Sequence, residues 1–311
     1  MESQVSGLAE ALGLPTVRKR SQRKYPWRLL SAGFSWNALK HLTPNSDPLA
    51  PPWPDVLITC GRGSVPLALA IRARSKGKTF CVHIQDPHVN PARFDMVVAP
   101  RHDRLKGSSV LQTDVALHHL TEQKLSEARI HYEPLFRHMD PPFVTVLIGG
   151  SGSHYQMTKP VVAALIQDLE KLLSASKGSL LITPSRRTGE ENVALMRAHF
   201  KASRRVFIAN LAEDNPYLGL LALADTLCVT EDSVSMVSEA SFTGKPVYIL
   251  RLPGHKRKKT HYFIEHLRQQ NIVRYFEGKV EEWSYPPPHD TKRVADLIRQ
   301  KLQERTHNTA V

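Results

Sequence analysis

The sequence predicts an α/β protein made of two Rossmann-like domains, each built on a parallel sheet. Three observations carry this. Short apolar runs of strand length alternate with amphipathic helical stretches in both halves of the chain. Those runs end in polar or glycine-rich loops, the pattern found at the carboxyl ends of parallel strands. The 311 residues are enough for two domains of ordinary size.

The elements follow in order. Val5, Leu8, Ala9 and Leu12 share a helical face over residues 1–12, and Gly13 and Pro15 end that helix. Trp27–Leu30 reads as a short strand, and the proline-rich stretch 43–54 as loop. Asp55–Cys60 is a buried strand, followed by Gly61-Arg62-Gly63-Ser64 and a helix through Pro66–Arg74 with proline in its first turn. Thr79–Gln85, Met96–Ala99 and Val110–Gln112 are further strands, and 117–128 mixes helix and loop. A polar, proline-containing stretch at 137–142 reads as a linker between two blocks. In the second block, strands are expected at 143–148, 179–183, 206–209, 227–230 and 247–250. Helices are expected at 159–173, 190–200, 216–223, 234–241 and 260–270. Tyr285-Pro286-Pro287-Pro288 breaks the chain before a final amphipathic helix over 290–304. The expected domains are therefore 1–138 and 139–285, with a C-terminal helix in 286–311 free to pack back on the first domain. Ligands are expected in a cleft between the two, at the strand carboxyl ends.

Composition narrows the function. The hydrophobic fraction is 41%, and no apolar run approaches the ~20 residues of a membrane span. No signal-peptide pattern opens the chain, so a cytoplasmic protein is expected. Cys60, Cys81 and Cys228 lie in or beside strand-like runs, with neither zinc nor disulfide spacing, and read as buried reduced thiols. The formal charge of +13 is clustered: one basic run spans 18–24, and Lys256, Arg257, Lys258 and Lys259 are consecutive. Such patches attract nucleic acid, anionic lipid or anionic ligands. With no helix-turn-helix, zinc or RNA-binding signature beside them, nucleic acid ranks last. The run 256–259 is assigned to contact with an anionic membrane surface, on the inner face of the cell membrane.

The richest segment is LCVTEDSVSMVSEASFTGKPVYIL at 227–250. A strand ends in Glu231-Asp232-Ser233, and a helix begins with Asp232 and Ser233 as capping residues. The N–H groups of Ser235 and Met236 then point into the loop, a ready anion site. Glu239, about two turns along by helical geometry, could reach a hydroxyl beside that anion. Gly149-Gly150-Ser151-Gly152-Ser153-His154 is a glycine-rich strand-to-helix turn whose amides could approach a phosphate. It has neither a P-loop ending nor a dinucleotide G-x-G-x-x-G, so no cofactor is expected. Ser185-Arg186-Arg187 follows a strand and suits bidentate phosphate binding. Its arginines could also compensate Glu231 and Asp232. Gly61, Arg62, Gly63 and Ser64 form a similar anion-binding loop in the first domain.

The pattern Ser-x-x-x-x-Ser-Glu-Ala-x-x-x-Gly-Lys-Pro resembles the donor-binding segment of two-domain glycosyltransferases of the GT-B fold. The resemblance implies that Ser233, Ser235 and Met236 hold a nucleotide diphosphate and Glu239 a ribose. Glu231-Asp232 departs from it, placing two carboxylates near the diphosphate. GLAEALGLP at 7–15, QDPHVNPARFDMVVAPRHD at 85–103, VLIGGSGSHYQMT at 146–158, LLITPSRRT at 180–188 and TEDSVSMVSEA at 230–240 occur in this order. Together they resemble the family of the plant mitochondrial fission protein named for elongated mitochondria, and its bacterial members in particular. That family opens with a strand and glycine loop. Here Met1-Glu2-Ser3-Gln4 stands inside that loop, so the N-terminal sheet is expected to lack its first strand. The resemblance implies a GT-B-like protein that binds a nucleotide-sugar or similar phosphorylated ligand. The implied reaction is inverting, metal-independent glycosyl transfer to an envelope acceptor. The alternative it implies is a non-catalytic scaffold that recruits a protein partner of dynamin type at a membrane surface. A transferase needs a general base. Asp86, His88, His102 and Asp103 lie at strand ends, where spacing selects none; Asp86 and His88 are carried as the catalytic candidates. Asp86-x-His88 is too short a pattern to predict a metal site. His83, alternating within a strand, reads as structural.

Overall fold

A computed structural model describes residues 2–309, apart from 36, 153–154, 211–214 and 255–257. The elements run α1 (Glu2–Leu12), β1 (Val56–Cys60), α2 (Val65–Arg74), β2 (Phe80–Ile84), β3 (Met96–Pro100), β4 (Val110–Thr113) and α3 (Glu122–Tyr132). Then come β5 (Phe143–Ile148), α4 (Lys159–Ala175), β6 (Ser179–Pro184), α5 (Glu190–His199), β7 (Val206–Ile208), α6 (Tyr217–Leu223), β8 (Thr226–Thr230) and α7 (Val234–Ser241). The chain closes with β9 (Val247–Leu250), α8 (Lys258–Gln269), β10 (Val273–Tyr275) and α9 (Asp290–Thr309). It divides into two compact units: unit 1 is Met1–His119 with His289–Val311, and unit 2 is Leu120–Pro288.

Unit 1 holds a four-stranded parallel sheet in the order β1-β2-β3-β4. β2 and β3 are buried along their whole length, as strands covered on both faces must be. Their side chains alternate between two cores. Phe80, Val82, Ile84, Met96 and Val98 pack with Leu8 and Leu12 of α1 and Val294, Ala295 and Ile298 of α9. Cys81 and Val97 face Val65, Ala68 and Leu69 of α2. Asp290 fixes the start of α9, its carboxylate accepting from the Asp114 and Val115 N–H groups at 2.8 and 3.0 Å. Arg299 donates to the Ala11 and Leu12 carbonyls at 2.8 and 3.2 Å, closing the carboxyl end of α1.

Unit 2 holds a six-stranded parallel sheet, β10-β9-β8-β5-β6-β7. The chain starts at β5, adds β6 and β7 on one side, and returns to add β8, β9 and β10 on the other. The strand order therefore reverses between β5 and β8.

Three elements differ from expectation. Residues 27–30 form no strand: Trp27–Leu29 is a 3-10 turn closed by the Leu29 N–H on the Pro26 carbonyl, with Leu29 65% exposed. An apolar run without a neighbouring strand has no ladder to join. β10 is not expected from the sequence, because three edge residues, one buried and two half-buried, leave almost no periodic signal. α3 is a full helix capped by the Thr121 hydroxyl, and it packs on α6. The stretch 137–142 accordingly lies inside unit 2, where Ser179 donates to the Asp140 carbonyl at 2.9 Å. Among the described residues no helix is long and apolar enough to cross a membrane.

His83 lies in β2 with no exposed surface, its Nδ1 2.9 Å from the Thr59 hydroxyl. Its Nε2 meets no hydrogen-bond partner among the described residues. His118 is also buried. Burial pulls both imidazoles from 6.5 down to about 4. The unfolded chain therefore takes up protons first as pH falls. Stability is full above pH 6.5, is lost between 6.5 and about 4, and changes no further on this account below that. Each histidine should contribute about 3 kcal/mol to that loss, at about 1.4 kcal/mol per pH unit. Urea unfolding at neutral and acid pH should show a shallower pH dependence in His83→Asn than in the parent. An unchanged slope would show that His83 is not held neutral.

Candidate functional site

The strand-end loops of β8, β5 and β6, three adjacent strands, meet around one carboxylate. Asp232 has a side chain only 4% exposed. It accepts from the Gly150 N–H at 2.9 Å and from the Thr230 hydroxyl at 2.7 Å, and pairs with the Arg187 guanidinium at 3.1 Å. The compensation expected of the arginine pair is thus made by Arg187 on Asp232. Arg187 also donates to the Gly150 carbonyl at 3.2 Å, while Arg186 is exposed. Glu231 turns elsewhere and accepts from the Leu252 N–H at 2.6 Å.

The glycine loop has a different local role from the one expected. Its amides are already engaged: Gly149 N–H on the Thr230 hydroxyl, Gly150 N–H on Asp232, Ser151 N–H on the Arg187 carbonyl and Gly152 N–H on the Tyr155 carbonyl. The glycines are needed for close approach. A Cβ on Gly149 would lie 2.2 Å from Asp232 Oδ2, and one on Gly150, at φ +156°, 2.2 Å from the Arg187 carbonyl carbon. The Ser151 hydroxyl accepts from the Met157 N–H at 3.0 Å; Ser153 and His154 lie outside the described residues. Ser185 donates to the Gly149 carbonyl at 2.7 Å. Thr188, buried and the last residue of the 180–188 motif, donates to the same carbonyl at 2.5 Å.

Ser233 alone caps α7, its hydroxyl accepting from the Met236 N–H at 3.5 Å. Asp232 does not share that role, because its carboxylate is turned to the glycine loop. Ser235 is exposed on the first turn and Met236 half-buried. Glu239 is buried and accepts a hydrogen bond from the Tyr217 hydroxyl. Burial raises its carboxyl above the ordinary value, and the tyrosine's hydrogen bond opposes that rise. Its expected reach to a ligand hydroxyl is therefore already taken by Tyr217, 22 positions earlier in the chain. Lys245, the lysine of Gly-Lys-Pro, caps α6 by donating to the Leu221 and Ala222 carbonyls at 3.2 and 2.7 Å. Burial pulls it down to about 8.

In unit 1, Asp86 and His88 sit in one turn after β2. The Asp86 carboxylate accepts from the His88 N–H at 2.7 Å and lies 3.5 Å from His88 Nδ1. Arg62–Ser64 is a 3-10 turn leading into α2. The Ser64 hydroxyl turns back to the Cys60 and Gly61 carbonyls at 3.1 and 2.9 Å. Lys256 and Arg257 lie outside the described residues, and only the backbone of Lys258 is described; Lys259 is exposed at the start of α8. A cavity of about 630 Å³ opens at the β10 edge, lined by Tyr248, Arg268, Asn271 and Arg274 among others. It includes none of the strand-end residues above, and its arginines pair with Glu265 and Glu281 at 2.9 and 2.8 Å. The strand-end cluster therefore remains the candidate site.

Two parallel α/β units, the second reversing its strand order beside a glycine loop and a helix amino end, define a GT-B-like protein. Two solved structures share the fold: the UDP-GlcNAc 2-epimerase of Methanocaldococcus jannaschii (TM-score 0.50, 12% identity, 79% of this chain and 76% of that one) and that of Neisseria meningitidis bound to UDP-GlcNAc (0.50, 15%, 81% and 76%). The chain belongs to the mitochondrial fission ELM1 family, whose sequence model matches residues 1–302. It is 34% identical over 278 residues to the mitochondrial fission protein ELM1 of Arabidopsis thaliana, covering 81% of this chain but 65% of the plant protein. It is 28% identical over 287 residues to an uncharacterised protein of Rickettsia prowazekii, covering 80% of each.

Gly149→Ala should lower stability by about 1–3 kcal/mol, the usual cost of overpacking. The loss should shrink when measured in an Asp232→Ala background, because the colliding oxygens are gone. Equal losses in both backgrounds, in a urea double-mutant cycle, would show that closeness to Asp232 is not what requires the glycine.

Proposed function

We propose that unit 2 binds a nucleotide-sugar or similar phosphorylated ligand at the carboxyl edge of its sheet. The observation that carries this reading is the reversal of strand order between β5 and β8, with Arg186, Arg187 and the amino end of α7 beside it. Crevices at such reversals are where open α/β sheets take ligands. The epimerases of the same fold bear UDP-GlcNAc in their names, which supports the ligand class. Asp232 then acts as an internal anion. An arriving diphosphate must displace its carboxylate from Gly150 and Arg187, or bind outside it at Ser235 and Arg186. Met236 and Ser233 shape that helix end, and Glu239 can reach a ribose only by leaving Tyr217. Glycosyl transfer to an envelope acceptor is the implied reaction, with Asp86 and His88 as candidates for its base. A diphosphate should bind the parent chain, more weakly Arg187→Gln by about 10-fold, and more tightly Asp232→Asn, which removes the competing charge. Calorimetry with uridine, cytidine and guanosine diphosphates checks this, with Glu239→Ala testing the ribose contact. No binding by the parent or by Asp232→Asn sinks the reading.

The second reading, a non-catalytic scaffold that recruits a protein partner at a membrane surface, is favoured by one observation. Asp232 and Tyr217 already satisfy the two groups a donor would need, Arg187 and Glu239. The basic run Lys256, Arg257, Lys258 and Lys259 would supply the surface contact, at about 1 kcal/mol per residue. Binding to anionic vesicles at low salt should weaken when the four become Gln, and fade near 1 M salt as the Debye length falls to ~3 Å. Vesicle binding unchanged by the substitutions removes this loop from the membrane contact.

A further inference from the structure

We propose that residues 24–34, a knob on unit 1, insert into the interface of an anionic lipid bilayer. The knob reverses the usual order of burial. Its small residue turns inward: Ala32 is buried in the cluster that holds Val65, Ala68 and Leu69 of α2. Its large apolar residues turn outward, Tyr25 at 71% exposure, Leu29 at 65%, Phe34 at 39% and Leu30 at 38%. An exposed leucine standing alone is ordinary, whereas large apolar side chains exposed together mark a contact surface. Cations are set among them. Lys24 precedes Tyr25 and Arg28 precedes Leu29, and both are exposed. No Asp or Glu stands in the sequence from 11 to 46 to balance them locally.

The backbone holds this surface in place. The Lys24 N–H donates to the His41 carbonyl and the Thr43 N–H to the Gln22 carbonyl, both at 2.8 Å, and Arg23 bridges Leu42 in the antiparallel sense. The chain thus enters and leaves the knob as a short ribbon. Inside it, the Arg28 N–H meets the Lys24 carbonyl at 3.2 Å, the Leu29 N–H the Pro26 carbonyl at 2.9 Å and the Leu30 N–H the Trp27 carbonyl at 3.4 Å. These turns hold 24–30 to about 9–12 Å of length. The Trp27 ring stacks on Phe34, centroids 6.3 Å apart, and on His41 at 3.7 Å. Arg93 fixes the far end by donating to the Gly33 carbonyl at 3.2 Å.

Charge and side-chain type choose the occupant. Protein interfaces deplete lysine from their apolar centre. Here Lys24 and Arg28 are interleaved with the apolar residues. That mixture suits a bilayer surface, where rings and leucines enter the boundary between headgroups and acyl chains while the cations reach lipid phosphates. The inference rests on the membrane reading above, but through a different segment from 256–259 and a different force. Contact through 256–259 is charge alone and fades in salt. The knob adds apolar insertion, which salt does not screen.

The test is sedimentation of the full chain with vesicles of phosphatidylglycerol and phosphatidylcholine, against phosphatidylcholine alone, at about 0.1 M and about 0.5 M salt. The parent should bind the anionic vesicles and keep measurable binding at the higher salt. Tyr25→Ser combined with Leu29→Ser should weaken binding at least about 10-fold at both salts. Its Tm should match the parent, because both side chains are exposed. Lys24→Gln combined with Arg28→Gln should weaken binding about 10-fold at the lower salt and less at the higher. Fluorescence of Leu29→Trp should be quenched by lipids brominated along the acyl chain, and the quenching should survive replacement of all four residues 256–259 by Gln. Vesicle binding unchanged by the two serines, or no quenching at position 29, overturns insertion of the knob and leaves the wider membrane reading standing. A parent that ignores anionic vesicles at both salts overturns the two together. In that case a serine variant with an altered oligomeric state assigns the patch to a second copy of this chain.

Discussion

The carboxyl edge of unit 2 depends on one buried charge. Asp232 leaves β8, receives the Gly150 N–H from the loop after β5, and pairs with Arg187 from the turn after β6. Three adjacent strand ends are thereby tied to a single carboxylate. At 4% exposure it would be an uncompensated charge without Arg187, and breaking such pairs typically costs several kcal/mol. Gly149 follows from it, since no side chain fits between Gly149 and the Asp232 oxygens. The glycine loop, the arginine pair and the Glu-Asp sequence look like three separate ligand motifs when read along the chain. In three dimensions they are parts of one internally balanced arrangement.

That difference marks what the sequence could express. Strand and helix placement was legible because burial imposes period and length: β2 and β3 are continuous apolar runs, and the faces of α1 and α9 repeat at helical spacing. The residues of the candidate site were legible individually, since each sits where a strand ends. Their partners were not. Gly150 reaches Asp232 across 82 positions and Glu239 reaches Tyr217 across 22, and both contacts depend on strand order and helix packing that no local pattern records. The extent of unit 2 was hidden for the same reason. α3 belongs with α6 because Gly219 lets Tyr132 lie against it, its missing Cβ leaving the 2.5 Å that the ring occupies. Lys245 shows the reverse case, a motif residue whose side chain closes α6.

The strand-end arginine of unit 2 has an acid of its own chain beside it, although Arg187 is half-exposed. The arginine does not demand that partner, because water screens it cheaply; the enclosed Asp232 carboxylate is the group that needs a counter-charge. Unit 2 therefore carries its anion within the sequence, as Asp232, and any ligand there competes with a group held at fixed high local concentration. The segment whose sequence looks most like a phosphate site is thus already occupied by a carboxylate of its own chain.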